Sequence, residues 1–232
     1  MTGSRAGQVY ELAGPAGAGK TTLAHTLVRE QGDFTLGLPA GRAAMLAGVL
    51  GAVPMLLHGR ASTAHGPWTA ADLRSIGYLH AWRRHAAEQH RPGRHGAVLL
   101  DHGPAYRLAS LVLGECDTGA PAPLTDAFRQ WWTRTAISWS SVLDAVVWLD
   151  APDHVLAARI EGRDRFHRVR GGGADQVQAF LERYRDSYAA VLDLLDRCGT
   201  RVIHVNTGAG TPEELAARVR TALGDSIPGR LR

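Results

Sequence analysis

The pattern of this chain predicts an α/β fold: a mostly parallel five-stranded sheet with helices on both faces. Three observations carry that prediction. Short apolar runs at Gln8–Ala13, Ala97–Asp101, Ala145–Asp150 and Arg201–Asn206 recur through the 232 residues, each followed by a segment of helical character. The runs at Ala97 and Ala145 end in a carboxylate, the pattern of a strand buried on both faces whose far end meets solvent or a ligand. Directly after the first run, Gly14-Pro15-Ala16-Gly17-Ala18-Gly19-Lys20-Thr21 matches G-x-x-x-x-G-K-[ST] at every fixed position.

The elements follow in order. Gln8–Ala13 reads as the first strand, and Thr22–Glu30 as a helix with Leu23 and Leu27 one turn apart. Phe34–Gly41 holds a short second strand of poor pattern, then a helix spans Arg42–Leu50 up to a break at Pro54 and Gly59. Thr69 is placed to cap a helix over Ala70–Gln89, with Asp72 in its first turn. Ala97–Asp101 is a third strand and Pro104–Leu113 a helix; Pro121-Ala122-Pro123 breaks the chain before a tryptophan-rich helix over Thr125–Leu143. Ala145–Asp150 is the fourth strand, with Pro152 opening a helix that carries Leu156 and Ile160. A helix over Asp175–Cys198, a last strand at Arg201–Asn206 and a closing helix over Thr211–Leu223 complete the alternation. In such a sheet ligands gather at the carboxyl ends of the strands, where Gly14, Asp101, Asp150 and Asn206 would meet.

Composition narrows the class. The length fits one α/β domain over residues 1–232, with room for a lid. Met1–Arg5 lacks an apolar region of the secretory type, and the apolar stretch from Ala43 to Leu57 is too short to span a bilayer. Cys116 and Cys198 stand far apart without metal-ligand spacing, which suits a reducing cytoplasm. A net charge of +4 favours anionic ligands in a general way and does not point to nucleic acid.

Lys20 is the only lysine beside 25 arginines, and it stands where a phosphate-binding loop needs a slim ammonium. The loop from Gly14 to Thr22 would wrap backbone amides around a nucleotide's phosphates, with Lys20 on the β- and γ-oxygens and the Thr21 hydroxyl on Mg²⁺. Asp101 is its expected partner, holding Mg²⁺ or accepting a proton from an attacking hydroxyl; a cap on the helix from Pro104 is the alternative. Asp150 reads better as a helix cap. Arg159, Arg163, Arg165, Arg168 and Arg170 lie within twelve residues and run into Gly171-Gly172-Gly173. They form a lid that brings cations to a transferred phosphoryl group, or a solvated or nucleic-acid-binding basic loop. Arg107, one turn into the helix after Asp101, is the candidate acceptor contact. Phe128, Trp132, Trp139 and Leu143 share a helical face that a core or a homodimer surface explains. His80, His85, His90 and His95 rotate around their helix and read as a solvated basic surface.

The phosphate loop, the strand ending in Asp101, and the helix leading into Arg159-x-x-x-Arg163-x-Arg165 resemble the nucleoside and nucleotide kinases, the thymidylate and deoxynucleoside kinase group. The resemblance runs from about Gln8 to Leu223. It implies a P-loop NTPase fold, ATP and Mg²⁺ as cofactors, and a small-molecule phosphoryl acceptor. It makes 159–173 the lid segment and 42–95 a helical acceptor-side region. By the same likeness Arg159 lies near the adenine, Arg163 and Arg165 touch phosphates, and the loop after Val205 borders the base. The chain departs from the group at His102-Gly103-Pro104, where an arginine often follows the carboxylate, and at Arg168, where the lid commonly ends in glutamate. It also lacks the acidic residue after the second strand that serves deoxynucleoside kinases as a base.

A metabolite kinase is therefore the leading expectation, and an ATP-hydrolysing ATPase or switch the alternative. The guanine-reading Asn-Lys-x-Asp motif cannot exist in a chain whose one lysine sits in the phosphate loop. His102 and Ala151 also stand where many ATPase motors place a glutamate.

Overall fold

The structure is a computed structural model and describes residues 7–30, 34–59, 68–91, 93–113, 125–162 and 173–224. In chain order the elements are β1 (Gln8–Ala13), α1 (Lys20–Glu30), β2 (Phe34–Leu36), α2 (Arg42–Gly51), α3 (Val53–Gly59), α4 (Ala70–Gln89) and β3 (Ala97–Asp101). There follow α5 (Pro104–Leu113), α6 (Asp126–Ser140), β4 (Ala145–Asp150), α7 (Asp153–Glu161), α8 (Ala174–Arg197), β5 (Arg201–Asn206) and α9 (Pro212–Gly224). The five strands pair in parallel in the order β2-β3-β1-β4-β5. The α/β expectation with a parallel sheet is met.

Strand residues alternate between two cores because side chains point to opposite faces in turn. Val9 and Ala13 of β1, Val98 and Leu100 of β3, and Val146 and Trp148 of β4 face a core shared with α4, α5, α6 and α8. Tyr10, Leu12, Leu99, Val147 and Leu149 face the other core, with α1, α7 and α9. The strand order reverses at β1, which lies between β3 and β4, so the ends of those strands open a crevice at the start of α1.

Local chemistry explains most element ends. Thr69 and Asp72 form a capping box on α4: the threonine hydroxyl accepts the Asp72 amide at 3.1 Å, and the Asp72 carboxylate accepts the Thr69 amide at 2.9 Å. Thr125 caps α6 by accepting the Phe128 amide at 3.2 Å. The aromatic face of α6 belongs to the core, with Phe128 and Trp139 buried and the Trp132 indole donating to the Leu108 carbonyl at 3.0 Å.

Three boundaries differ from the sequence reading. The second strand stops at Leu36. Pro54 opens a short helix where a break was expected, because it stands in the first turn of α3, where an amide has no intrahelical partner to lose. The tryptophan-rich helix ends at Ser140, and Leu143 is buried in the turn beyond it. Among the described residues no helix is long and apolar enough to cross a membrane.

The end of the sheet away from the crevice is tied by Asp144. Its Oδ2 accepts the amide of fully buried Val9 at 2.7 Å and lies 3.4 Å from His90 Nε2. That carboxylate raises the His90 pKa above its usual value, so this histidine is a structural partner and not one more solvated cation. Asp144→Ala strands a buried backbone donor, so a loss of about 1–3 kcal/mol is expected in urea denaturation. An unchanged denaturation midpoint would show that water replaces the carboxylate.

Candidate active site

The loop between β1 and α1 turns where only glycine fits. Gly14 has φ 143°, and a Cβ there would lie 2.1 Å from the Leu149 carbonyl oxygen of the neighbouring strand. Gly17 at φ 86° is pressed against the Leu156 backbone in the same way. Lys20 begins α1 and folds back over this loop, its Nζ donating to the carbonyls of Gly14 at 2.7 Å and Pro15 at 3.0 Å. The ammonium therefore sits over a loop whose amides, with the first amides of α1, form a concave cradle suited to phosphate oxygens.

Thr21, the next residue, donates its hydroxyl to Asp101 Oδ2 at 2.9 Å, across 80 positions of sequence. The register of β1 on β3 explains the meeting, since Leu12 pairs with Asp101 and brings the end of β3 beside the loop. The second carboxylate oxygen, Oδ1, is buried and accepts no hydrogen bond among the described residues. A hydroxyl and a carboxylate with an oxygen to spare are hard oxygen donors, and they fit a Mg²⁺ ion that keeps water and phosphate in its other positions. Asp101 accepts no amide of α5, which leaves the capping alternative without support.

The residue after it, His102, has φ 68°, a left-handed conformation that is uncommon outside glycine. Its Nδ1 lies 3.3 Å from Asp101 Oδ1 and its ring meets the Tyr106 ring edge-on at 4.3 Å. Burial pushes the imidazole pKa down; the Asp101 carboxylate opposes that shift, and Lys20 and Arg107 add to it.

The cap of α5 is Glu11, a residue absent from the sequence reading. It stands in the middle of β1 with 0% exposure and accepts the Ala105 amide at 2.7 Å and the Tyr106 amide at 2.9 Å, one on each oxygen. Pro104 has no amide, so these are the first donors the helix offers. Gly103 leaves no room for a side chain, since a Cβ there would lie 2.8 Å from the Glu11 carboxyl carbon. Burial pushes the Glu11 pKa up to about 8, against the two amide bonds and Arg107. The signal was present in the sequence: a glutamate inside a strand buried on both faces must find donors.

Arg107 leaves the same helix for a nest of rings. Its guanidinium carbon lies 4.7 Å from the Tyr78 ring centroid and 5.5 Å from those of Trp82 and Tyr106, and Nη1 is 3.4 Å from Ser75 Oγ. This anchors Arg107 in the wall formed by α4 and α5 beside the Asp101 turn. On the other side of the loop, Arg159 donates to the carbonyls of Gly17 at 3.3 Å and Thr207 at 2.8 Å. A cleft of about 310 Å³ lies here, lined by Gly17, Gly19, Thr22, Arg159, Thr207 and Pro212 among others. Asp150 does not cap α7: it grips Arg185 with both oxygens, at 2.9 and 3.0 Å, and Arg185 also reaches Asp153 at 2.7 Å. Arg163 and Arg165 lie outside the described residues.

Comparison with known proteins agrees with this architecture. The profile of a family described as AAA domain matches residues 9–191. Adenylate kinases from two strains of Xanthomonas oryzae pv. oryzae are 37% identical over 84 residues, which is 35% of this chain and 43% of each relative. The match thus spans less than half the length of those relatives. A structure of thymidylate kinase from Candida albicans superposes with a TM-score of 0.54, covering 96% of this chain and 94% of that one at 14% identity. At that identity the likeness is one of fold.

The raised Glu11 pKa has a consequence for stability. A carboxyl whose folded pKa is near 8 and whose ordinary value is 4.5 adds stability that is full below 4.5 and lost as pH rises through 8. Urea midpoints are expected to decline across that window, and Glu11→Gln to flatten the decline. A variant whose midpoints fall in parallel with wild type would assign the titration to another group.

Proposed function

The chain belongs to the AAA domain family and shares the fold of P-loop nucleotide kinases, and from this we propose that it transfers the γ-phosphate of ATP to a small hydroxyl-bearing metabolite. The observation that carries the reading is the 2.9 Å bond between Thr21 and Asp101, which joins the phosphate loop to the one strand-end carboxylate not consumed by an arginine clamp. Adenylate and thymidylate kinases among the similar proteins support a phosphotransferase.

In this reading the loop Gly14–Thr22 holds the triphosphate, and Lys20 moves from its own loop carbonyls onto the β- and γ-oxygens. Arg159 and the Thr207 loop border the base in the 310 Å³ cleft. Thr21 and Asp101 would hold Mg²⁺, which when bound neutralises charge on the phosphate oxygens. The acceptor lies against the Asp101 turn and the wall that carries Arg107, with 42–95 as its helical side. Its oxygen bonds the γ-phosphorus as the bond to the β-phosphate oxygen breaks, ADP departs, and the hydroxyl proton is released. Asp101 serves that step by organising the cation or by receiving the proton. Arg163 and Arg165 belong to a lid over 159–173, where they stabilise charge that grows during transfer and exclude water. Residues 1–232 act as one kinase-like domain, in a cytoplasmic setting with ATP and Mg²⁺ at hand.

Variants test these roles. Lys20→Ala is expected to lower turnover roughly 100- to 1000-fold with the fold intact, the scale of losing one charge-stabilising donor. Lys20→Arg should also be badly impaired, since its planar fork fits the loop poorly. Asp101→Asn should give a folded, inactive protein. Arg163→Ala should lower kcat and kcat/KM together and leave ATP affinity unchanged. ADP release by wild type should depend on an acceptor found by thermal-shift screening. Full-rate hydrolysis without an acceptor, unaltered by Arg163→Ala, would instead support the ATPase reading.

A further inference from the structure

A second cavity, of about 540 Å³, lies between the α2–α3 corner, α4 and α6. It is separate from the phosphate loop. The α4 residues that meet Arg107, namely Ser75, Tyr78 and Trp82, turn toward α5, whereas Ile76, Leu79, His80 and Arg83 line the cavity from the adjoining face of the same helix. Its volume falls within the range of about 300–1000 Å³ usual for small-molecule sites.

The helix packing explains why space remains. Where α2 crosses α4 the two are in close contact: a Cβ on Gly48 would lie 2.4 Å from His80 Cβ, and one on Gly77 would lie 3.1 Å from the Met45 carbonyl. Beyond Gly51 the chain bends at Ala52 and α3 leads across to α6. A Cβ on Gly51 meets nothing within 4 Å. The floor is greasy, made by buried Met55, Ile76, Leu79 and Trp139.

The rim is cationic. Arg83 is fixed by its Nε, which donates to the Ser138 carbonyl at 2.9 Å, and Arg134 rests one nitrogen on Gln130 Oε1 at 3.0 Å. Neither is in an ion pair among the described residues, so both guanidinium groups keep their charge for an anion at the rim. Apolar walls under guanidinium groups that lack a carboxylate suit one kind of occupant: an apolar or aromatic body carrying a single anionic group.

We propose that this cavity is a binding site for a small amphipathic anion, its ring or chain against Trp131, Trp139 and Met55 and its carboxylate, sulfonate or phosphate on Arg83 and Arg134. The site lies apart from the phosphate loop, yet the α2, α3 and α4 residues that line it belong to the 42–95 segment placed on the acceptor side. It shares α4 with the Arg107 wall, so an occupant bears on a helix that also faces the proposed acceptor.

The test uses two fluorescent probes of nearly equal shape, anilinonaphthalene sulfonate and its uncharged parent phenylnaphthylamine, on the full chain. The sulfonate should bind one site per chain more tightly than the parent, and salt should weaken it. Arg134→Gln, at an exposed position, should weaken the sulfonate about tenfold, the scale of one charge-assisted hydrogen bond, and leave the parent unchanged. Gly51→Trp should exclude both probes, while MgATP binding stays as in wild type. Sulfonate affinity unaltered by Arg134→Gln and Gly51→Trp would overturn the proposal, as would displacement of the probe by MgATP. Probe affinity that falls with rising protein concentration would do so too, since a second copy would then be the occupant. Failure of the kinase reading would leave all of these results where they are.

Discussion

A single buried carboxylate sets the geometry on which the crevice depends. Glu11 lies in the strand that runs directly into the phosphate loop, and it holds the first two free amides of α5, the helix that follows Asp101. A carboxylate at zero exposure without donors would destabilise the fold by several kcal/mol. Here the unfilled amides and the positive end of the helix dipole offset part of that penalty, and burial still holds the Glu11 pKa up to about 8. The same contact leaves space only for glycine at position 103, beside His102, whose left-handed conformation carries a strain of roughly 1–2 kcal/mol. The turn that presents Asp101, His102 and Tyr106 is thus fixed from the strand of the phosphate loop, and the 2.9 Å meeting of Thr21 with Asp101 follows from parallel pairing on that strand.

The crevice has two unlike sides. On the nucleotide side, backbone and side chain interlock: Arg159 ties the loop at Gly17 to the turn after β5 at Thr207, and the cleft between them is bordered by small residues. On the other side, Arg107 is held by three rings and a serine hydroxyl, in a wall built from α4 and α5. Arg185, which reaches the same end of the sheet, is committed to Asp150 and Asp153, so it braces β4 against α8 and does not offer a free cation.

What was legible in the sequence was local. The glycine spacing around Lys20, the apolar runs of β1, β3, β4 and β5, and the Thr69 cap each depend on neighbours within a few residues, and each is found where expected. What was not legible depends on partners far along the chain. Glu11 meets amides 94 and 95 positions away, and Asp150 exchanges the role of cap for an arginine 35 positions away. In the sequence Pro54 reads as a break, but its effect depends on its place in a helix, which composition does not reveal. The stretch from Ala43 to Leu57 is neither simply core nor part of the Asp101 turn: Ala52 and Met55 are buried, Leu46, Leu50 and Leu57 are exposed, and its Gly48, Gly51, Pro54 and Met55 line the second cavity.

The fate of the terminal phosphate tests the central claim most directly. ATP labelled in its γ-phosphate, incubated with Mg²⁺, the full chain and fractionated small metabolites, should pass its label into an organic phosphate ester in step with ADP release. With metabolites omitted, the label should remain in ATP. Label appearing only as inorganic phosphate, at the same rate with and without metabolites, would contradict the account.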